Sequence, residues 1–533
     1  MRKFTKGLLM TLVASAVSLG AYAQQFQTGY YRVVNAGYLN DETKAGVMYV
    51  TSTSTAQPTA TKAEAETLAG TVMYIDATPM SENPETKAQY IDIDDNDLIV
   101  NSLRSQSVDA AKAVYAETVK DLRAWFKIFM QGNLGKSMSE DDIEAILEEM
   151  FYYMQMFLQP NEDGTYYLKS STPNLIPLAE AIVGAKLDIP VTNPDQIKAY
   201  VIKYLQDNGQ NQAADEWVAL WDRIHMGHTY YLIGGQVTPD FNKPEQKFET
   251  LKGGKPFISF ANDNKIDYAA IEGFVPEIEK AGDYAKWYLI PVDAQNPFGV
   301  KTTLKGLDNK FYCTGYFDFP FTSETATAYE ITEQPVLCEA NQFGSVEPNK
   351  EDIIAYVTLS KIEKGETVPA HTPVVIECPT SDLTVLQPVG EPADAGNASV
   401  MKGIFFEKTF TETAETANDD DEFEYLDLPL TSAPETIARK VVRVLNQGKN
   451  TLNPLGFYKF NGPAITANKG FIVLDEAIAN ANIAIVDYKT YVDGINEVKT
   501  SSDNDNVIYD VQGRIVSNPT KGLYIVNGKK FIK

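Results

Sequence analysis

Apolar and polar positions follow two different rhythms along this chain, and the changes of rhythm divide it. Over residues 24–104, short runs rich in β-branched and aromatic residues predict strands at Thr28–Asn35, Val47–Val50 and Thr71–Ile75. The Thr/Ala stretch from Thr51 to Thr61, with Pro58 inside it, reads as a loop. After Ser105 the spacing changes to threes and fours. Val108, Ala111, Tyr115, Val119, Leu122, Phe126 and Phe129 make one helix face. Ile143, Ile146, Leu147, Met150, Phe151, Met154 and Phe157 make a second, behind a capping box of Ser137 and Glu140. Asn193-Pro194 is another start signal, leading into Ile197, Tyr200, Val201 and Tyr204, and a last helix carries Trp217, Leu220, Trp221 and Ile224. Such wide stripes must bury against one another, so 105–226 is predicted to be a helical insertion, interrupted by a short strand at Thr165–Leu168 after the turn Asp163-Gly164.

Strands return over 227–299, at His228–Gly234 and Lys286–Pro291. Residues 300–490 then read as strand after strand between Pro, Gly and Asn turns, a pattern that predicts one or two antiparallel sandwiches. Ser501–Asn506 is too polar to pack a core, and 491–506 reads as a linker. Residues 507–533 return to strand alternation on both sides of Asn527-Gly528, the strongest short-range signal for a hairpin with a type I′ turn. The fold class expected is therefore multidomain and mainly β, with trefoil-like and β-sandwich modules and an α-helical insertion.

Three resemblances bear on this division. Gly29-Tyr30-Tyr31-Arg32-Val33-Val34 is echoed by His228-Thr229-Tyr230-Tyr231-Leu232-Ile233-Gly234, and Lys286-Trp287-Tyr288-Leu289-Ile290-Pro291 follows. Here the chain resembles β-trefoil modules of ricin-lectin type, which implies one trefoil-like domain built from 24–104 and 227–299 around the insertion. The Gln-x-Trp signature of carbohydrate-binding ricin repeats is absent. Ala328-Tyr329 through Val368–Val374, and Leu455–Lys459 with Ala467–Phe471, resemble a module of secreted Bacteroidota proteins, a family that brings no catalytic role. The tail resembles the C-terminal sorting domain of the type IX secretion system. It carries Tyr509-x-x-x-Gly513-x-x-Val516, then Gly522-x-Tyr524-x-Val526, then a basic apolar strand with Lys529 and Lys530. That resemblance implies Tyr509, Gly513, Gly522, Tyr524, Val526, Lys529 and Lys530 as sorting residues and secretion machinery as their partner. A structural hairpin that closes the last domain is the alternative.

The first residues agree with an exported product. Arg2, Lys3 and Lys6 precede the apolar run Leu8–Ala14, and Ala21-Tyr22-Ala23 supplies a small-x-small cleavage site, so 1–23 reads as a signal peptide. The apolar run is short of the roughly 20 residues that span a bilayer, and no transmembrane helix is expected elsewhere. The 533 residues carry 46 Lys+Arg against 72 Asp+Glu, a net charge of −26. Cleavage removes three positive charges and takes that to −29. Such acidity excludes an extended phosphate-neutralising face, and with it nucleic acid as a partner.

Candidate chemistry changes the picture little. Three His and three Cys leave no zinc framework. An exported location permits one bridge among Cys313, Cys338 and Cys378, and the odd count leaves one thiol over; all three are otherwise read as small buried hydrophobes. Gly132–Ser137 lacks the first Gly and the preceding strand of a phosphate loop. Asp92–Asp97 fails the calcium-loop pattern, with Asp97 at the Gly position and Leu103 at the final Glu position, and reads as a solvated acidic loop, as does Asp419–Glu422. His225 and His228 suit helix capping better than zinc, and His371 reads as a strand entry. Tyr30, Tyr31, Tyr230, Tyr231 and Trp287 are candidates to stack on sugars, but alternating strand positions favour the core. No catalytic, metal or cofactor-binding residue is assigned and no cofactor is expected. The expectation is an exported, non-catalytic protein of the cell surface or extracellular space that binds glycan or protein. A hydrolase with unlocated carboxylates and a surface-layer or fimbria-like subunit are the alternatives.

Overall fold

The computed structural model describes residues 27–40, 46–50, 59–90, 93–100, 155–171, 176–183, 187, 194–224, 230–234, 236–239, 246–249, 259–262, 278–306, 308–337, 353–392, 400–405, 408–409, 422–425, 435–447, 455–479, 481–487, 508–510, 516, 523–526 and 529–532. The leader, the helix faces of 108–129 and 143–154, the Gly132–Ser137 stretch, the Asp419–Asp421 run, the linker, Cys338, His225, His228, Gly513, Gly522 and Asn527-Gly528 lie outside them.

The N-terminal region contains β1 (Gly29–Asn35), β2 (Val47–Met48), β3 (Thr59–Ala60), β4 (Met73–Ile75), β5 (Leu98–Val100), β6 (Gln155–Pro160) and β7 (Tyr166–Ser171). Three helices follow, Ile176–Val183, Pro194–Asp207 and Asn211–Ile224. Then come β8 (Tyr230–Ile233), β9 (Gln236–Pro239), β10 (Gln246–Glu249), β11 (Ser259–Asn262) and β12 (Lys286–Pro291). Six of these strands close a ring. β1 pairs with β4, β4 with β5, β5 with β6, β6 with β7, β7 with β12 and β12 with β1, every pair antiparallel. Closure leaves those strands no bare edge. The interior is filled by alternate residues from each: Val33, Met73, Ile75, Leu98, Val100, Met156, Leu158, Leu168 and Trp287. The indole of Trp287 satisfies its only donor on the carbonyl of Leu232, 3.0 Å away, so the largest ring in this core leaves no polar atom bare.

Two expectations change here. Phe157, placed on a helix stripe by its spacing, lies in β6, where it packs with Met80 and Ile93 outside the barrel while Met156 and Leu158 point in. Both faces of this strand are buried, so it shows no alternation to read. The echo of β1 at His228–Gly234 does not enter the ring either: Tyr230–Ile233 forms β8, paired to the far end of β7 through Lys169 and Ser170. β7, which does belong to the ring, also carries two adjacent tyrosines, Tyr166 and Tyr167, and its Leu168, like Val33 of β1, is fully buried.

The helix Pro194–Asp207 begins at the expected proline. It buries Ile197, Val201 and Leu205 while Tyr200 stays 41% exposed, a narrower stripe than expected. It ends in a Schellman motif, Gly209 (φ +73°) donating to Gln206 and Gln210 to Leu205.

The C-terminal half contributes β13 (Gly299–Val300), β14 (Phe311–Gly315), β15 (Phe321–Thr322), β16 (Thr327–Glu330), β17 (Val336–Leu337), β18 (Ile353–Val357), β19 (Ser360–Ile362), β20 (Val374–Cys378), β21 (Thr384–Val385), β22 (Gln387–Pro388) and β23 (Met401–Ile404). It continues with β24 (Lys408–Thr409), β25 (Glu422–Tyr425), β26 (Glu435–Ala438), β27 (Val442–Asn446), β28 (Gly456–Lys459), β29 (Ala464–Ile465), β30 (Lys469–Val473) and β31 (Asn482–Asp487). In the four-stranded sheet β14-β20-β16-β19, the strand β20 is buried on both faces. From β20, Val375 joins a core shared with the seven-stranded sheet β17-β18-β31-β28-β27-β30-β23, together with Phe457, Phe471 and Ile483. Val374, Ile376 and Cys378 join the opposite core, which includes Tyr30, Val72 and Tyr74 of the barrel region. The barrel region and the four-stranded sheet therefore share one apolar core. The seven-stranded sheet departs from a wholly antiparallel pattern, since β18 and β31 run parallel with register shifts. Arg443 is buried in this half, its guanidinium donating to the carbonyls of Ala481 (2.6 Å), Lys440 (2.8 Å), Val442 (2.9 Å) and Ala479. Burial lowers its pKa to about 10.

Candidate functional site

Five of the seven tail residues singled out from sequence, Tyr509, Tyr524, Val526, Lys529 and Lys530, fall on a three-stranded antiparallel sheet, β32 (Ile508–Asp510), β33 (Leu523–Val526) and β34 (Lys529–Ile532). Tyr509 stands opposite Ile525, Tyr524 lies between Asp510 and Phe531, and Val526 faces Lys529 across the two-residue connection 527–528. Ile525 faces Lys530. A two-residue connection between directly paired residues is the geometry that Asn-Gly favours. Tyr524 is buried. Among the described residues these strands pair only with one another.

Elsewhere the fold assembles three polar clusters that the sequence reading did not join. The first corrects the acidic loop. Asp97 is fully buried rather than solvated, because Lys169 of β7, itself 2% exposed, reaches it at 2.7 Å and Asp94 at 3.2 Å. Asp97 also accepts from the backbone N–H of Asp94, and Asp95 pairs with Lys87 at 2.6 Å. Burial raises the pKa of Asp97 against the opposing pull of Lys169, and its Oδ1 has no hydrogen-bond partner among the described residues. Carboxylates already taken up by lysines are poor ligands for a hard cation. Asp92 lies outside the described residues. The available signal was Lys169 itself, a charge placed after Tyr166-Tyr167-Leu168 in a strand of core-forming residues.

The second cluster centres on Glu377 of β20. Its carboxylate accepts from Tyr329 (2.9 Å), more distantly from Tyr312 (3.4 Å), and from Lys310, while the Tyr312 hydroxyl donates to Asp308 at 2.7 Å. Burial, and bonding to carboxylates, raise the pKa of both tyrosines, and the bond to Glu377 raises that of Lys310.

The third lies where the barrel region meets the four-stranded sheet. Tyr30 packs edge-on against Tyr74 (5.2 Å between ring centres) and Phe319 (5.7 Å). The Tyr30 hydroxyl is buried with no hydrogen-bond partner among the described residues, and that of Tyr74 bonds Glu391. Asp318, between Phe317 and Phe319, is pushed up to about 7 by burial. Desolvation and the nearby carboxylates push Tyr74 up to about 12. Beside this seam Arg32, 3% exposed, fastens the barrel to the connector that follows it, donating to Thr71 (3.2 Å), Ala65 (3.2 Å), Asn296 (2.8 Å) and Pro297 (3.0 Å). It lines a shallow cleft with Tyr49, Lys62, Glu66 and Asn296.

Of the aromatic residues considered for sugar stacking, Tyr30, Tyr231 and Trp287 are core, Tyr31 is half-buried and the Tyr230 side chain lies outside the described set. His371 precedes β20 with φ +57° and donates its backbone N–H to Phe317. Among the described residues no group of three His, Cys, Asp or Glu is placed to hold a metal ion, and no helix is long and apolar enough to cross a membrane. No protein-family model, no curated protein and no solved structure matches this chain.

Proposed function

We propose that this chain is an exported, non-catalytic protein of the cell surface or extracellular space, which presents its β modules to a glycan or protein ligand and is delivered by its C-terminal tail. The observation that carries the reading is the tail sheet, whose strands pair only with one another among the described residues and which holds Tyr509, Tyr524, Val526, Lys529 and Lys530 in one ladder. A self-paired terminal unit beyond a polar stretch is what a secretion receptor can grip without disturbing the rest of the protein. The leader pattern of residues 1–23 agrees with it.

The barrel is of the trefoil kind in this reading. Its support is the cyclic order β1, β4, β5, β6, β7, β12, with the β2–β3 hairpin inserted between the first two and β8 to β11 between the last two. The two packed sheets of the C-terminal half make the sandwich module. Such folds host many functions, so it is the exported destination that rests on the tail, and the barrel by itself singles out no ligand.

Deleting 507–533 tests the delivery step in the native host: the truncated protein is expected to accumulate in the periplasm, and unchanged surface display would refute the role given to the tail. Incubating the purified mature protein with a panel of polysaccharides tests the absence of catalysis. Retention without cleavage is expected for a glycan ligand, and release of sugar from any of them would sink the non-catalytic reading.

A further inference from the structure

We propose that Cys313 and Cys378 form a disulfide that crosses the β14–β20 ladder, leaving Cys338 as the odd thiol. The register sets Cys313 opposite Ile376 and Cys378 opposite Phe311, so the two cysteines lie one pleat apart on the same face of adjacent antiparallel strands. Both are free and buried, at 5% and 0% exposure, in the core shared with the barrel region. Their side chains hydrogen-bond each other. Closing that contact to the ~2.05 Å of a covalent bond needs side-chain rotation and a small shear of two strands.

The hydrogen bond also makes the two sulfurs unequal. Donation by Cys313 raises its own pKa and lowers that of Cys378, an asymmetry that favours Cys378 as the nucleophile once the β14–β20 contact has formed and before the core seals. The oxidant required is a disulfide, either a protein dithiol oxidase or oxidised glutathione. The Cys378 thiolate attacks one sulfur of the oxidant, whose other sulfur leaves as a thiolate and takes a proton. Cys313 then loses its proton and attacks Sγ of Cys378 in the mixed disulfide, expelling the second thiol of the oxidant. One S–S bond forms in the protein and one is broken in the oxidant, with two electrons transferred. Because both thiols are buried once the sheets close, the exchange belongs to folding rather than to the finished molecule. The compartment that supplies the oxidant rests on the export proposed above; the pairing does not.

The full mature chain, denatured and reduced, is refolded in a glutathione buffer of oxidising poise, quenched with acid, alkylated under denaturing conditions and digested without reductant. Mass spectrometry is expected to find the Cys313 and Cys378 peptides joined and Cys338 alkylated. Alkylation of both Cys313 and Cys378, or a bridge from either to Cys338, would overturn the proposal. Cys338→Ser is expected to keep the cross-link. In the wild type the Tm is expected to rise between reducing and oxidising buffer, and equal Tm values would count against the bridge. None of these readouts depends on where the protein resides in the cell, so failed export and failed pairing are separable.

Discussion

In the barrel, the Lys169–Asp97 pair buries both ions: Lys169 is 2% exposed and Asp97 0%, with only Asp94 reaching solvent at 65%. In the four-stranded sheet the burden falls on one ion. Glu377 is 10% exposed, while its cation, Lys310, is 49% exposed and two tyrosine hydroxyls supply the remaining contacts. Taking an ion out of water costs several kcal/mol, and the cost is met only by a partner of good geometry. The barrel meets it with charge on charge, which leaves Oδ1 of Asp97 without a hydrogen-bond partner among the described residues; the sheet meets it with neutral donors and a solvated lysine. The difference follows from place. Lys169 lies on a ring strand covered by the Asp94–Asp97 turn, whereas Glu377 lies on β20 between Tyr312 of β14 and Thr327 of β16, and its cation is half in solvent.

Lys169→Met should have the largest effect, about 3–5 kcal/mol of stability, because it strands a buried carboxylate. Urea unfolding measures it, and adding Asp97→Leu should restore part of the loss. A single variant within about 1 kcal/mol of wild type would break the contrast. Glu377→Gln keeps the shape and gives up the charge, and should cost about 1–3 kcal/mol, the range for hydrogen bonds to a charged group. The seam sharpens the comparison through pH, since no cation among the described residues pairs with Asp318. Its folded pKa, raised to about 7, lies above the ~3.9 of an unfolded Asp, so the stability it contributes is full below about 4 and is lost as pH rises through about 7. Asp318→Asn should therefore gain on the wild type between pH 5 and pH 8, by about 1–2 kcal/mol, read as a difference in Tm; a gap that stays constant across that range would remove the argument. Lys310→Ala should have the smallest effect, under about 1 kcal/mol and weaker still in salt, because its charge is half-solvated.

Much of the fold was legible where cause is local. The strands at Gly29–Asn35, Met73–Ile75 and Phe311–Gly315 announce themselves by β-branched and aromatic residues, and Pro194 and the hairpin around 527–528 by the backbone they require. Phe157 was misread because a strand buried on both faces has no alternation, and its spacing from Met154 fits a helix equally well. Two adjacent tyrosines mark a strand without saying where it pairs, so the residues alone do not tell that Tyr230–Ile233 stays outside the ring while Tyr166–Ser171 closes it. The polar clusters were illegible for the same reason. Asp94 and Lys169 are 75 positions apart, and no local pattern joins them.

Periodicity, composition and turn chemistry act over a few residues, and so the strand-rich character of the chain, its net charge of −26 and its two terminal patterns can be read directly from the residue order. Closure of six strands into a ring, burial of Asp97 beneath Lys169, the meeting of Tyr30 with Phe319 and the approach of Cys313 to Cys378 belong to another level. Each joins residues far apart in the chain, and which of many apolar strands become neighbours is chosen by the packing of the whole core rather than by any strand's own residues.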